Sequence, residues 1–282
     1  MGEKVRGNLV VIGGAEDTTG DCIILREVVR LAGGKDAVIV IITAASSDEE
    51  SAGDKYNRLF LDLGAREARV LCLATRRQAQ KEDEAHSLRD ATGVFMTGGD
   101  QLRITSILGG TPAYRAIQRK YEEGTVISGT SAGASVMSGA MIVGGVDDEP
   151  PKDRSVILAP GLGLLEEVII DQHFAQRGRI GRLLAVIAQN PFILGLGIDE
   201  DTAAVIGPKG IFTVIGSNAV TVVDGSRIDH SNVTETDFGR TLALTNVTMH
   251  VLPAGYGFDL KSRQSVIGKG AAPAIRKIKG NE

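Results

Sequence analysis

The sequence predicts an α/β fold: a mostly parallel sheet with helices on both faces and extra β structure near the C-terminus. Three observations predict it. Short β-branched apolar runs alternate with longer amphipathic segments through the first two hundred residues, the signature of strand–helix–strand units. Residues 37–43 are an unbroken apolar run, as a strand buried on both faces requires. From about Gly207 the spacing shortens to small strands separated by turn residues.

The elements follow in order. Residues 8–12 are a strand ending at Gly13-Gly14. Residues 22–32 are a helix, with Leu25, Val28, Val29 and Ala32 at helical spacing and Gly33-Gly34 as its stop. After the strand at 37–43 comes a helix at 56–63 that ends at Gly64, then a strand at 68–73 and a polar helix at 78–89. Residues 93–96 are a strand ending in Thr97-Gly98-Gly99-Asp100. Helices at 102–108 and 112–123 lead to a strand at 125–128, and a helix follows from Ala132. Further on, 211–215, 219–224, 241–244 and 248–252 read as strands, with Asp224-Gly225 as a hairpin signal.

Composition bounds the function. The 282 residues are 43% hydrophobic and 23% charged, apolar enough to exclude a disordered chain. The 36 glycines have no three-residue period, which excludes collagen. No Trp and 4% aromatic residues imply an aliphatic core and argue against a base-stacking nucleic-acid surface. The net charge of −4 supplies no basic excess to recruit nucleic acid or an anionic membrane. Cys22 and Cys72 make no disulfide framework; Cys72 lies in a strand-like run and reads as a buried free thiol, which fits a reducing cytoplasm. The charged start, 1–8, has no signal-peptide pattern. The longest uncharged apolar run is polar again by Ser46, too short to cross a bilayer. With no linker and no internal repeat, 1–282 reads as a single domain, β-rich from about 207, and the basic tail after Ser262 reads as a solvated end.

Parallel sheets place their sites outside the carboxyl ends of the strands. Here those ends carry Gly13-Gly14-Ala15-Glu16, Thr97-Gly98-Gly99-Asp100-Gln101 and Gly129-Thr130-Ser131. Gly129-Thr130-Ser131-Ala132-Gly133 matches Gly-x-Ser-x-Gly. In a chain with 15 serines and 36 glycines the pattern arises by chance in about one case in four, so its position decides. It lies between a short strand and a small-residue segment suited to a helix, where a strained turn exposes a serine oxygen. A helix-capping serine is the plain alternative. Gly98-Gly99-Asp100 is the best-placed source of a second oxyanion donor, because glycine lets backbone approach a substrate closely.

Of four histidines, His86, His230 and His250 fall in polar or late segments. His173 ends an apolar run, in Asp171-Gln172-His173-Phe174, on the rim that carries Ser131, and is the candidate general base. An acid must fix its tautomer. Asp199, Glu200 and Asp201 follow the apolar run 193–198, and spacing chooses neither among them nor against Asp147, Asp148 and Glu149. The order Ser–His–acid departs from the Ser–acid–His of α/β-hydrolases. Asp171, Gln172, Gln176, Arg177, Arg179 and Arg182 cluster around His173. They are either a solvated helix start or a set fit for a zwitterionic substrate, since arginine pairs bidentately with carboxylate. No metal-ligand pattern and no nucleotide-binding glycine motif occurs, so neither metal nor cofactor is expected.

Five blocks taken together resemble the cyanophycinases, serine exopeptidases of the family that also contains aspartyl dipeptidase. They are Val11-Ile12-Gly13-Gly14-Ala15-Glu16-Asp17, Thr97-Gly98-Gly99-Asp100-Gln101, Gly129-Thr130-Ser131-Ala132-Gly133-Ala134-Ser135, Asp171-Gln172-His173-Phe174 and Gly197-Ile198-Asp199-Glu200-Asp201-Thr202-Ala203. The resemblance spans most of the chain. It implies a class I glutamine-amidotransferase-like fold, with Ser131 as nucleophile, His173 as base and Glu200 as orienting acid. It implies Gln101, Asp171, Gln172, Arg177, Arg179 and Arg182 as substrate-binding residues, and the backbone amides near Asp100 and at Ala132 as oxyanion donors. The implied substrate is cyanophycin, a poly-aspartate with arginine on each β-carboxyl, cut to β-Asp-Arg dipeptides by a cytoplasmic homodimer. The alternatives are an aspartyl dipeptidase acting on N-terminal Asp dipeptides and a non-catalytic peptide-binding relative.

Overall fold

The computed structural model describes residues 6–267. In chain order the first half holds β1 (Leu9–Ile12), α1 (Ile23–Leu31), β2 (Val38–Ile42), α2 (Glu49–Asp62), β3 (Glu67–Leu71), α3 (Arg76–Ala79), α4 (Glu82–His86), β4 (Gly93–Met96), α5 (Gln101–Leu108), α6 (Pro112–Glu122), β5 (Val126–Thr130) and α7 (Ala132–Ser135). Then come β6 (Ala140–Gly145), β7 (Val156–Pro160), β8 (Val168–Gln172), α8 (Ile180–Gln189), β9 (Leu194–Ile198), β10 (Thr202–Ile206), β11 (Ile211–Gly216), β12 (Ala219–Asp224), β13 (Thr248–Pro253), β14 (Tyr256–Asp259) and β15 (Gln264–Ile267).

Strands β1, β5, β4, β2 and β3 lie side by side and parallel. Every residue of β1, β2, β4 and β5 is buried, because helices cover both faces. Val10, Ile12, Ile39 and Ile41 pack under α1 and α2, against Ile24, Leu25, Val28 and Phe60. Their neighbours Leu9, Val11, Val40 and Ile42 face the other way, toward Ile104, Ile107 and Ile117 of α5 and α6. This two-sided alternation is why a continuous apolar run, and no polar–apolar alternation, marks these strands. Beyond β1 the sheet continues antiparallel through β10, β11, β14 and β15.

A second sheet, ordered β13-β12-β9-β8, packs Leu196, Ile198, Val220 and Val222 into the core shared with α5 and α6. Helix α8 covers its other face, where Leu183, Val186 and Ile187 meet Ile169 and Val223. This sheet corrects one expectation: His173 follows β8, a strand of the second sheet and not of the one that carries Ser131. The two sheets converge at the end of β1. His173 N–H donates to the Gly13 carbonyl at 2.8 Å, Gly13 N–H to Thr202, and Asp201 N–H to Gly14.

Other departures have local causes. Helix α2 starts at Glu49, not Tyr56, because Asp48 caps it by accepting from Ser51 N–H; its polar first turns hide it from a periodicity reading. The helix expected at 78–89 is two short helices, broken where Lys81 is extended. The helix from Ala132 is a single turn. Residues 241–244 form no strand but two isolated bridges, Thr241 to Lys152 and Leu244 to Ser231. Asp224 does pair with Thr248 across an antiparallel β12–β13 ladder, yet the chain between them is a long excursion and no two-residue hairpin closes it. Strands β6, β7, β10, β14 and β15 lie outside the strands expected from the sequence; β7 and β15 are largely exposed. Cys72, just past β3, is exposed, and Cys22 is the buried thiol, both unbridged. Of the tail after Ser262, 264–267 pair as the edge strand β15; 268–282, like 1–5, lie outside the described residues.

Candidate active site

Ser131 stands between β5 and α7 with φ 52° and ψ −112°, a conformation that costs a non-glycine residue energy unless its surroundings impose it. The surroundings do. Ser131 N–H donates to the Ile12 carbonyl at 3.0 Å. A Cβ on Gly129 would lie 2.4 Å from the Gly133 carbonyl oxygen, and one on Gly133 would lie 2.2 Å from that of Met96. Both glycines of the pentapeptide are there because backbone crosses backbone at the turn.

Ser131 Oγ lies 2.9 Å from His173 Nε2, and His173 Nδ1 lies 2.7 Å from Glu200 Oε1. With Glu200 accepting at Nδ1, the neutral ring carries its proton there and presents a lone pair to the serine hydroxyl. Among the candidate acids, Glu200 is the one whose carboxylate contacts His173. Asp199 is buried and accepts from Ala175 and Ala219 N–H. Asp201 accepts from Asp17 N–H and Ser217 Oγ. Asp147 holds arginines and Glu149 pairs with Lys152. Glu200 in turn is held by its backbone: its N–H donates to Gln176 Oε1, and its carbonyl accepts from Thr202 and Asn218.

The loop after β1 braces the site. Gly14 has φ +103°, and a Cβ there would lie 2.3 Å from His173 Cε1 and 2.6 Å from Nε2, so only glycine leaves room for the imidazole. Asp17 N–H donates to Asp201, and the Asp17 carboxylate accepts from Cys22, Gly20 and Thr19 N–H, which holds it below the usual carboxylate range. Sequence reasoning quoted this glycine pair but assigned it no role against the histidine.

The oxyanion expectation is corrected in one half. Asp100 N–H donates to the Ala45 carbonyl at 3.0 Å and its carboxylate caps α5, so this amide is not free to meet a substrate. Gly98 and Gly99 N–H make no hydrogen bond to another described residue, and a Cβ on Gly98 would touch Ser131 Cβ at 3.4 Å. Across the turn, Ala132 N–H opens α7 without an acceptor among the described residues.

The polar cluster divides. Arg182 Nε donates to Asp171 Oδ2 at 2.7 Å, its Nη2 to Asp171 Oδ1, and its Nη1 to Asp147 at 3.0 Å. Arg179 meets Asp147, Asp171 and both oxygens of Gln172. All but Asp147 are buried. Burial pushes the Asp171 carboxyl up and the Arg179 guanidinium down, and their contacts oppose both shifts. Arg179 and Arg182 are therefore committed to protein carboxylates, which amends the expectation that they grip a substrate carboxylate. Arg177 is exposed and its side chain has no partner among the described residues. Gln101 donates to the Ile142 carbonyl through Nε2 at 2.9 Å, leaving Oε1 available.

A serine at a strand-to-helix turn, relayed through histidine to glutamate on an α/β sheet, defines a serine-hydrolase type of site. Comparison with known proteins agrees. Residues 9–214 match the model of peptidase family S51. The chain is 40% identical over 269 residues to a cyanophycinase of Geminocystis herdmanii (strain PCC 6308), covering 95% of this chain and 99% of that one. It is 39% identical over 260 residues to a cyanophycinase of Thermosynechococcus vestitus, covering 92% and 81%. The crystal structure of a peptidase from an acI-B1 Actinobacterium shares the fold, with a TM-score of 0.65 at 21% identity over 94% of this chain and 98% of that one. The chain belongs to peptidase family S51 and is a serine peptidase.

Proposed function

We propose that this peptidase degrades cyanophycin, with Ser131 as nucleophile, His173 as general base and Glu200 as the group that orients it. The observation that carries the reading is the unbroken relay from Ser131 Oγ to His173 Nε2 and from Nδ1 to Glu200. Ser131 attacks the aspartyl backbone carbonyl and its proton passes to Nε2. The tetrahedral oxyanion draws on Ala132 N–H and on the Gly98 or Gly99 N–H. His173 returns the proton to the leaving amine, and water then hydrolyses the acyl-enzyme to release β-Asp-Arg. Arg177 meets a substrate carboxylate and Gln101 Oε1 accepts from the guanidinium arm, while Asp171, Gln172, Arg179 and Arg182 form the wall behind them. Relatives at about 40% identity named cyanophycinase support the substrate, and by the same resemblance the enzyme works as a cytoplasmic homodimer.

The test is incubation of purified protein with insoluble cyanophycin, following soluble β-Asp-Arg by mass spectrometry, beside α-Asp dipeptides. Release from the polymer supports the reading; cleavage of the dipeptides alone supports an aspartyl dipeptidase. Gly14→Ala is expected to lower kcat about 100-fold with KM little changed, because the new methyl displaces the imidazole and a shift of about 1 Å is enough for such a loss. Steady-state kinetics of the folded variant check this.

A further inference from the structure

Glu16 lies buried behind the nucleophile and the steps above do not use it. Its Oε1 accepts from Tyr56 Oη at 2.5 Å and its Oε2 from Thr130 Oγ1 at 2.5 Å. No cation pairs with it among the described residues. A buried carboxylate held only by two hydroxyls is costly to desolvate, and an apolar side chain would fill that space more cheaply. What Glu16 holds is the residue immediately before Ser131. We infer that Glu16 is a positioning residue for the nucleophile, fixing Ser131 through the Thr130 hydroxyl; this rests on Ser131 being the nucleophile.

Ser131 keeps its positive φ only while both sides of the turn are fixed. Its own N–H is tied to Ile12. The side chain of Thr130 is tied to Glu16, and Ile12 and Thr130 are partners in the β1–β5 ladder. Released from Glu16, the Thr130–Ser131 peptide can rotate toward an unstrained conformation, which swings Oγ away from His173 Nε2. Tyr56 stops the carboxylate from turning. It sits on α2, its ring 4.6 Å from that of Phe95 on β4, with Phe60 beside them. Burial, and then the adjacent Glu16 charge, push the Tyr56 hydroxyl well above its usual range, so it stays a donor. The path thus runs from the aromatic core under α2, through Tyr56, Glu16 and Thr130, to Ser131. The same loop touches the other two members of the relay: Gly14 lies on the His173 ring, and Asp201, next to Glu200, donates to the Gly14 carbonyl.

Two readouts separate positioning from mere packing. One is the kcat and KM of polymer cleavage. The other is the second-order rate at which a small fluorophosphonate modifies Ser131, a reaction that needs the nucleophile and its base but no substrate pocket. Thr130→Val keeps the shape and removes the hydroxyl. It is expected to lower kcat about 10- to 100-fold with KM within about twofold, and to slow fluorophosphonate labelling by a similar factor. Thr130→Ser restores the hydroxyl and is expected to recover both rates to within about threefold of wild type. Glu16→Ala is expected to match Thr130→Val where it folds, and the double variant to add nothing further to the loss. If Glu16→Ala does not fold, the threonine pair decides. Unchanged labelling in Thr130→Val, a loss confined to KM, or equal losses in Thr130→Val and Thr130→Ser would overturn the inference. Wild-type protein that the reagent labels at Ser131 while the variants react equally fast sinks this inference alone. Wild type that the reagent does not label at Ser131 sinks the nucleophile assignment and this inference with it.

Discussion

Ser131→Ala is expected to release no measurable β-Asp-Arg from cyanophycin, a loss of about 10⁵- to 10⁶-fold in kcat, while the variant folds and melts like the wild type. The magnitude follows from what the relay does: with the oxygen gone, histidine and glutamate have no nucleophile to activate, and removing such a residue costs about as much as removing the whole set. Glu200→Gln is expected to fall between, at about 10⁴-fold, because an amide at Nδ1 supports the wrong tautomer and cannot stabilise the imidazolium. The two are measured as dipeptide release over hours at high enzyme concentration. Full activity in Ser131→Ala would remove the nucleophile assignment. Full activity in Glu200→Gln would mean that the 2.7 Å contact to His173 Nδ1 does no catalytic work.

The second large effect is on stability. Asp171→Ala is expected to destabilise the protein by about 3–5 kcal/mol, because it leaves buried guanidinium groups without their carboxylate. Asp171 is 1% exposed and serves Arg182 at two nitrogens and Arg179 at one. Asp147 alone would then have to balance both arginines, and it sits at the open edge of the cluster with its side chain 37% exposed. In a chain of this size the loss corresponds to a fall of roughly 10 °C in Tm, read by thermal denaturation. Arg177→Ala provides the contrast: the side chain is exposed and unpaired, so Tm is expected to hold. A melting temperature unchanged in Asp171→Ala, with KM alone raised, would make Asp171 a direct substrate ligand and not a brace.

The parts of the site legible in the sequence were those whose chemistry is local. Gly129-Thr130-Ser131-Ala132-Gly133 carries its own reason, since the glycines at either end are where backbone passes within a Cβ's reach of backbone. His173 was recognisable as a polar residue ending an apolar run. Which acid orients it was not legible, because Asp199, Glu200 and Asp201 are adjacent and equally acidic. Only the path of the chain after β9 turns one of them to Nδ1, while its neighbours satisfy backbone amides. The charge cluster was visible as composition, but its pairing was not. Arg179 and Arg182 look like free hands in the sequence and are bound to Asp147 and Asp171 in the fold. Asp100 N–H is likewise spent on Ala45, a partner far away in sequence. Glu16 gave the least warning of all, an acid in a loop whose partners lie 40 and 114 residues away.

The amino-acid sequence by itself determined the alternating strand–helix plan of the parallel half of the large sheet, because β1, β2 and β4 are buried on both faces and read as apolar runs. It also marked the Gly-x-Ser-x-Gly turn after β5 as a candidate site. The tertiary structure decided that His173 follows a strand of a second sheet and that Glu200 lies on the turn from that sheet back to the first, the two sheets being joined at Gly13 and Gly14, and which charges are spent inside the protein. The reason is physical. Periodicity reports how much of each segment is buried, whereas a hydrogen bond between residues dozens of positions apart depends on where two separately formed strands end, and no local pattern encodes that distance.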